Sequence, residues 1–271
     1  IDCLVIFQLR SSQEKLNMKM FSMNNTSHSS RVTLFSFLFS FVVLTISGCG
    51  GGGGSKDPGT TFELTIENIS TDKTFTTQAG TTPSIAFSPG IFVVHHSSNP
   101  IFTPGTVAGN GGLESLAEDG DVLPLSESLQ SASTVSLIGV VLTPIGESGA
   151  GILLPGKRYR SVFTANRGEK LSLVLSFLLG NDIFVGNGNE GVDLFTNDYS
   201  PRSGEITHLF SLWDAGTEIN EPPGTGENQV AFQREPDTGA SESNEIQLVS
   251  DGFKYPALGQ MLKITITELT N

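Results

Sequence analysis

Strict alternation of apolar and polar side chains is the feature that most limits what this chain can fold into. Apolar residues occupy every second position in segments 62–66, 171–177 and 262–266. Successive side chains of a β-strand point to opposite faces, so each segment predicts a strand with one face on a core. Gly, Pro, Asn and Asp turns break the sequence between these segments. The pattern therefore predicts an all-β protein, either an antiparallel sandwich or a barrel.

One short helix is expected among these strands. Residues 112–118 have a helical pattern that is stopped by Asp119 and Gly120. Acidic residues in and after this helix are interpreted as a solvated face and a following turn, not as a metal cluster. They are Glu114, Glu118, Asp119 and Asp121.

The N-terminal region carries the signature of an export signal. An apolar run over 32–46 follows Arg31 and leads through Ser47 and Gly48 into Cys49. The run is too short to span a bilayer and has the length of a secretory signal. Its ending resembles a bacterial lipobox, in which cleavage before the cysteine leaves a lipid-modified terminus. An ordinary signal peptide with an incidental cysteine is the alternative.

This reading divides the chain into three parts. Residues 1–48 are predicted to be an upstream leader and signal peptide, and 49–60 a lipidated cysteine with a glycine-rich tether. Residues 61–271 are predicted to form one folded domain. By analogy with known lipoproteins, glycine at position 50 favours the outer membrane of a bacterium, where the lipid anchor would hold the protein on its periplasmic or outer face.

Charge and motifs exclude several classes of function. The 271 residues carry 28 Asp and Glu against 15 Lys and Arg, a net charge of −13. Such a chain has no basic stripe for phosphates, which argues against nucleic acid as a partner. The glycines at 186–191 match a dinucleotide-binding spacing, but no helix pattern follows them. His95 and His96 are adjacent and would face opposite sides of a strand. No catalytic arrangement is recognisable, so the protein is predicted not to be an enzyme.

Three constrained stretches occur in a specific order. The first is SPGIF at 88–92, followed by His95 or His96 and by Phe102; the second is GLESLAEDGD at 112–121; the third joins NDIFVG at 181–186 to DAGTEIN at 214–220. Together they resemble the spondin N-terminal domain family. The resemblance covers about residues 61–269 and implies an eight-stranded antiparallel β-sandwich, similar to C2 domains, with long loops at one end that hold Ca²⁺.

The resemblance also implies a set of metal ligands. Carried over residue by residue, these are Asp182, Asp214 and Glu218, although animal members of the family have aspartate at the last position. The chemistry of the residues agrees, because Ca²⁺ prefers six to eight oxygen ligands on flexible loops. Trp213, beside the loop, is expected to be a core anchor rather than a ligand contact. Residues 224–244 are polar and are predicted to form a long loop or hairpin arm.

The expected function is therefore a calcium-binding, non-enzymatic adhesion or ligand-binding lipoprotein whose ligand is an extracellular or envelope protein or glycan. Two alternatives stay open from the sequence. One is an envelope hydrolase, acting on carbohydrate with paired carboxylates or with a metal-activated water. The other is a structural envelope lipoprotein that holds a protein partner.

Overall fold

The architecture was obtained as a computed structural model that describes residues 59–270. The predicted signal peptide, Cys49 and residues 50–58 of the predicted tether lie outside the described residues, and Thr60, the last tether residue, is the first residue of β1. Within them no helix is long and apolar enough to cross a membrane.

Two antiparallel sheets form the domain, which confirms the predicted all-β sandwich. Between residues 59 and 270, eight strands have five or more residues and three have only two. In chain order they are β1 (Thr60–Asn68), β2 (Phe87–His95), β3 (Val135–Val141), β4 (Arg158–Ala165), β5 (Lys170–Phe177), β6 (Ile183–Asn187), β7 (Val192–Asp193), β8 (Gly204–Glu205), β9 (Phe210–Asp214), β10 (Gln247–Leu248) and β11 (Leu262–Glu268). The smaller sheet has the order β4-β1-β11-β8, and the larger one β10-β9-β6-β5-β2-β3 with β7 paired to β5.

Short helices complete the fold: α1 (Leu113–Asp119), α2 (Leu123–Leu129), α3 (Leu258–Met261) and a 3₁₀ turn at Thr207–Leu209. Helix α1 confirms the helix predicted from the sequence. Helices α2, of seven residues, and α3, of four residues, were not predicted from the sequence. The proline in the first turn of α2 is compatible with a helix, since the first N–H groups have no partner within it.

The main core lies between the two sheets. In the smaller sheet, Leu64 pairs with Ile266 and Ile66 pairs with Ile264 across β1 and β11. All four side chains are fully buried. They pack against the inward side chains of the larger sheet, among them Leu173 of β5. The alternating apolar residues of β1 and β11 therefore lie on the strand face that meets the core.

A second apolar layer covers the outer face of the larger sheet. Helix residues Leu116 and Leu125 pack there with Val174 and Phe184. Strand β5 is consequently buried on both faces, so the expectation that only one of its faces meets a core is wrong. A serine on this second face has a hydrogen-bond partner in helix α1, because Oγ of Ser176 donates to the carbonyl of Ala117 at 2.9 Å.

Candidate functional site

Two acidic residues of the predicted metal set are neighbours at one end of the larger sheet. Asp182 lies in the turn between β5 and β6, and Asp214 is the last residue of β9. The strands align them, because Ile183 pairs with Asp214 across β6 and β9. The N–H of Ala215 also donates to the backbone carbonyl of Asp182 at 3.2 Å. The sheet therefore brings together residues that are 32 positions apart in the sequence.

The carboxyl group of Asp182 is fully buried and only half satisfied. Its Oδ2 accepts hydrogen bonds from the N–H groups of Thr217 (2.8 Å) and Glu218 (3.2 Å) and from the Thr217 hydroxyl (3.3 Å). Its Oδ1 is buried and accepts no hydrogen bond from the described residues. Burial and, to a smaller extent, repulsion by Asp214 raise the pKa of Asp182 to about 7. An unpartnered buried carboxylate oxygen is costly, and a cation beside it would remove that cost.

Asp214 is held in place by the loop that follows it. Its Oδ1 accepts from the N–H of Gly216 and its Oδ2 from the side-chain amide of Asn220, both at 2.8 Å. Gly216 has φ of +71°, and a Cβ there would lie 2.6 Å from the carbonyl oxygen of Asn244. Only glycine fits this tight turn. Burial raises the pKa of Asp214, and the acidic residues Glu242 and Asp251 raise it further.

The carboxylate of Glu218 belongs to a second acidic group. Its Oε1 accepts from the N–H of Gly239 at 2.8 Å, and its Oε2 from the side-chain amide of Asn181 at 3.3 Å. Glu118, Glu218 and Asp237 each offer one oxygen, and these three oxygens lie within 4.8 Å of one another. The structure therefore joins Glu218 to Asp182 through its backbone, while its side chain meets Glu118 and Asp237.

The interpretation of Glu118 as part of a solvated face is wrong. Glu118 is only 3% exposed, whereas Glu114 in the same helix is exposed as expected. Burial raises the pKa of Glu118 to about 8, and the neighbouring carboxylate of Glu218 contributes to the rise. The cover comes from the predicted loop 224–244, because the side-chain amide of Gln233 donates to the Glu118 carbonyl at 3.1 Å.

Thr217 connects the two acidic groups. Its hydroxyl donates to Oδ2 of Asp182 at 3.3 Å. Its side chain also lowers the pKa of Glu118, against the larger effect of burial. One hydroxyl has one proton to donate, so it cannot satisfy two ionised carboxylates at the same time. The charge states of the two groups are therefore linked through this side chain.

The expectation for Trp213 is confirmed. It is 8% exposed, and its indole N–H donates to the carbonyl of Gly186 at 3.0 Å. Its ring packs edge-on against Phe102 at a centroid distance of 5.2 Å. Trp213 thus anchors the end of β9, immediately before Asp214, in the layer beneath the helices.

A serine–histidine pair occurs elsewhere in the larger sheet. Nε2 of His95 lies 2.9 Å from Oγ of Ser172, and Nδ1 of His95 lies 3.0 Å from the carbonyl of Ser97. That carbonyl can only accept, so Nδ1 carries the proton and Nε2 accepts from Ser172. Both side chains are fully buried. The arrangement is that of satisfied core residues, and His96 faces solvent on the other side as expected.

Comparison with known proteins adds no relative. No protein-family model matches the chain, and no curated protein matches it. The class that the fold and the site define is an all-β antiparallel sandwich with two adjoining acidic groups at one end of its larger sheet. Both groups are buried except for the exposed Asp237.

Proposed function

We propose that this chain is a non-enzymatic, calcium-binding lipoprotein of the bacterial envelope whose spondin-like β-sandwich serves adhesion or ligand binding. The observation that carries the proposal is the buried, unpartnered Oδ1 of Asp182 next to Asp214. A buried carboxylate oxygen without a partner is rare and calls for an explanation. A hard cation supplies one, because Ca²⁺ binds carboxylate oxygens.

The chemistry of the donor residues supports calcium as the ion. Asp182 and Asp214 are the residues that would hold the ion, and both have side chains fixed by backbone N–H groups of the loop after β9. Ca²⁺ binds backbone carbonyls and water as well as carboxylates. Two carboxylates held in place by the same loop would therefore supply part of its coordination. When bound, the ion would neutralise two buried charges and tie the β5–β6 turn to that loop.

The side chain of Glu218 would contribute to metal binding through the second acidic group. With Glu118 and Asp237 it presents three carboxylates to one small volume, an arrangement that could hold a metal ion. Glycine at position 239 makes the approach possible, since a Cβ there would lie 2.2 Å from Cδ of Glu218. Cation binding at Asp182 would affect this second group, because Asp182 accepts a hydrogen bond from the backbone N–H of Glu218.

The calcium proposal is tested by thermal unfolding of the full chain in chelator and in calcium. A ligand that binds only the folded state at 100 times its dissociation constant adds about 2.7 kcal/mol, or about 5–10 °C for a domain of this size. We expect this shift in the wild type and in the control Asp72→Asn, which changes an exposed aspartate. Asp182→Asn and Asp214→Asn should lose it. A wild type indifferent to calcium would refute the metal site.

The anchor and the ligand need separate measurements. Metabolic labelling with a fatty acid should label the wild type but not Cys49→Ser, and fractionation should place the labelled protein in the outer membrane. Pull-down from envelope extracts with and without chelator then asks whether a protein or glycan is held in a calcium-dependent way. Label in Cys49→Ser equal to that of the wild type would contradict the lipoprotein assignment.

A further inference from the structure

A concave site opens at Asp214, one of the two proposed calcium ligands. It is a pocket of about 320 Å³ between the end of β9, the short strand β10 and the segment that follows β10. This volume is many times the roughly 10–15 Å³ that one water molecule needs. It is also far larger than a metal ion with its ligands at 2.3–2.6 Å would require. The pocket is therefore sized for part of an organic ligand.

The polar wall of the pocket is acidic. Asp214, Glu242 and Asp251 line it together with side-chain amides, and no Lys or Arg is among its lining residues. Asp251 is fixed by the N–H of Phe253 at 2.8 Å and by the hydroxyl of Tyr255 at 2.7 Å. A carboxylate has about four acceptor positions, so one bond on each oxygen orients the group and leaves it able to accept more.

Asn220 also lines the pocket and helps to hold Asp214 in place. Its side-chain amide donates to Oδ2 of Asp214 at 2.8 Å, while Oδ1 of Asp214 accepts from the N–H of Gly216. The Asp214 carboxylate is therefore oriented at the pocket wall and can still accept from the N–H groups of a cationic ligand.

The remaining wall is apolar. Ile219 is 53% exposed although it is a large aliphatic residue, and it lines the pocket with Phe253. The methylene stem of a basic side chain packs on such residues while its charged end reaches polar groups. An aromatic ring also attracts a cation placed over its face. A metal ion would make no use of these two residues.

We propose that this pocket binds a basic side chain, the guanidinium of arginine or the ammonium of lysine, presented by a protein or peptide partner. The net charge of −13 would draw such a partner in before contact. The proposal goes beyond calcium binding and does not require a bound ion, although Asp214 adjoins both sites.

The test is a ligand-observed NMR titration of the full chain in chelator, which keeps the result independent of calcium. The probes are N-acetyl-arginine methylamide, N-acetyl-lysine methylamide and the neutral N-acetyl-citrulline methylamide. We expect saturable binding of a cationic probe, about tenfold weaker binding of citrulline, and weakening as salt is raised. Comparison of the arginine and lysine probes shows whether the pocket prefers a guanidinium or an ammonium group. Equal affinity for citrulline would overturn the proposal.

Matched variants locate the binding site. The backbone N–H of Glu242, rather than its side chain, holds the loop by donating to the Thr217 carbonyl at 2.8 Å. Glu242→Gln should therefore stay folded, which circular dichroism checks, and should weaken binding of the cationic probe about fivefold or more. Glu245→Gln, an exposed change three residues away, should bind within about twofold of the wild type. Equal affinities for Glu242→Gln and the wild type would place the cation elsewhere and overturn the proposal.

Discussion

The N–H of Thr217 donates to Oδ2 of Asp182 at 2.8 Å, which fastens the loop after β9 to the turn between β5 and β6. The hydroxyl of the same threonine donates to the same oxygen at 3.3 Å. Asp182 thus receives its protein hydrogen bonds on one oxygen, while the other stays buried without a partner. In the absence of a cation, the ionised form of this carboxyl destabilises the folded state, whereas its protonated form is tolerated.

The first prediction concerns the pH dependence of the cation-free protein. Burial raises the pKa of Asp182 to about 7 and that of Glu118 to about 8, from ordinary values of 3.8 and 4.5. Between these limits the folded state binds more protons than the unfolded state, so stability falls as pH rises from about 4 to about 8. Urea unfolding in chelator from pH 5 to 8.5 measures this fall.

A comparison of variants isolates the contribution of Asp182. Asp182→Asn should show a shallower fall and, at pH 8, a stability higher than that of the wild type by on the order of 1–4 kcal/mol. Asp72→Asn should follow the wild type. Burial lowers the pKa of His95, which reduces stability toward acid pH, but all three proteins retain this residue. Parallel curves for Asp182→Asn and the wild type would contradict the assignment.

The second prediction concerns the shared hydroxyl of Thr217. Thr217→Val keeps the shape but removes a hydrogen bond that favours the ionised forms of Asp182 and Glu118. The pKa values of both groups should rise, and the protein should lose about 1 kcal/mol of stability at pH 8 in chelator. Thr217→Ser should restore most of the loss, as judged by the same urea titration. A Val variant as stable as the wild type would show that the Thr217 hydroxyl does not stabilise the ionised carboxylates.

The sequence predicted the fold more fully than the site because strand alternation is local information. The alternating segments became β1, β5 and β11, each with its apolar side chains in the core between the sheets. Burial of the second face of β5 was not predictable in this way, since it depends on helices that start about 50 positions earlier. A polar Ser176 on that face looks like a solvent position until the carbonyl of Ala117 is seen above it.

The site was predictable only where its residues sit in motifs. Asp182 and Asp214 adjoin strands with recognisable patterns, and cross-strand pairing makes them neighbours. Glu118 meets Glu218 and Asp237 because the 224–244 loop folds back across the helix, through a bond between residues 115 positions apart. Nothing local in that polar loop marks Asp237 as a partner of the helix. The packing of this loop on a helix distant in the sequence was therefore not predictable from the sequence.

The third prediction concerns the close packing of β2 on β3. A Cβ at Gly139 would lie 2.1 Å from Cζ of Phe92, so the ring of Phe92 covers this glycine. Phe92 is 1% exposed and cannot move aside without disturbing its contact with Phe163. Gly139→Ala should cost about 1–3 kcal/mol by overpacking, measured by urea unfolding. Gly149→Ala, whose added Cβ meets nothing within 4 Å, is the control and should change stability by less than about 0.5 kcal/mol.

The fourth prediction separates a structural from a catalytic role for the buried serine–histidine pair. Oγ of Ser172 accepts from the side-chain amide of Asn187 at 3.0 Å and bonds to Nε2 of His95 at 2.9 Å. Ser172→Ala leaves Nε2 of the buried His95 without its partner and removes one of the two acceptors of the Asn187 amide. It should therefore lower stability by about 1–3 kcal/mol in urea unfolding. The exposed change Ser98→Ala should have almost no effect. Esterase and glycosidase substrates should give equal background rates for wild type and Ser172→Ala. A wild-type rate above background that disappears in a still-folded Ser172→Ala protein would favour the hydrolase instead.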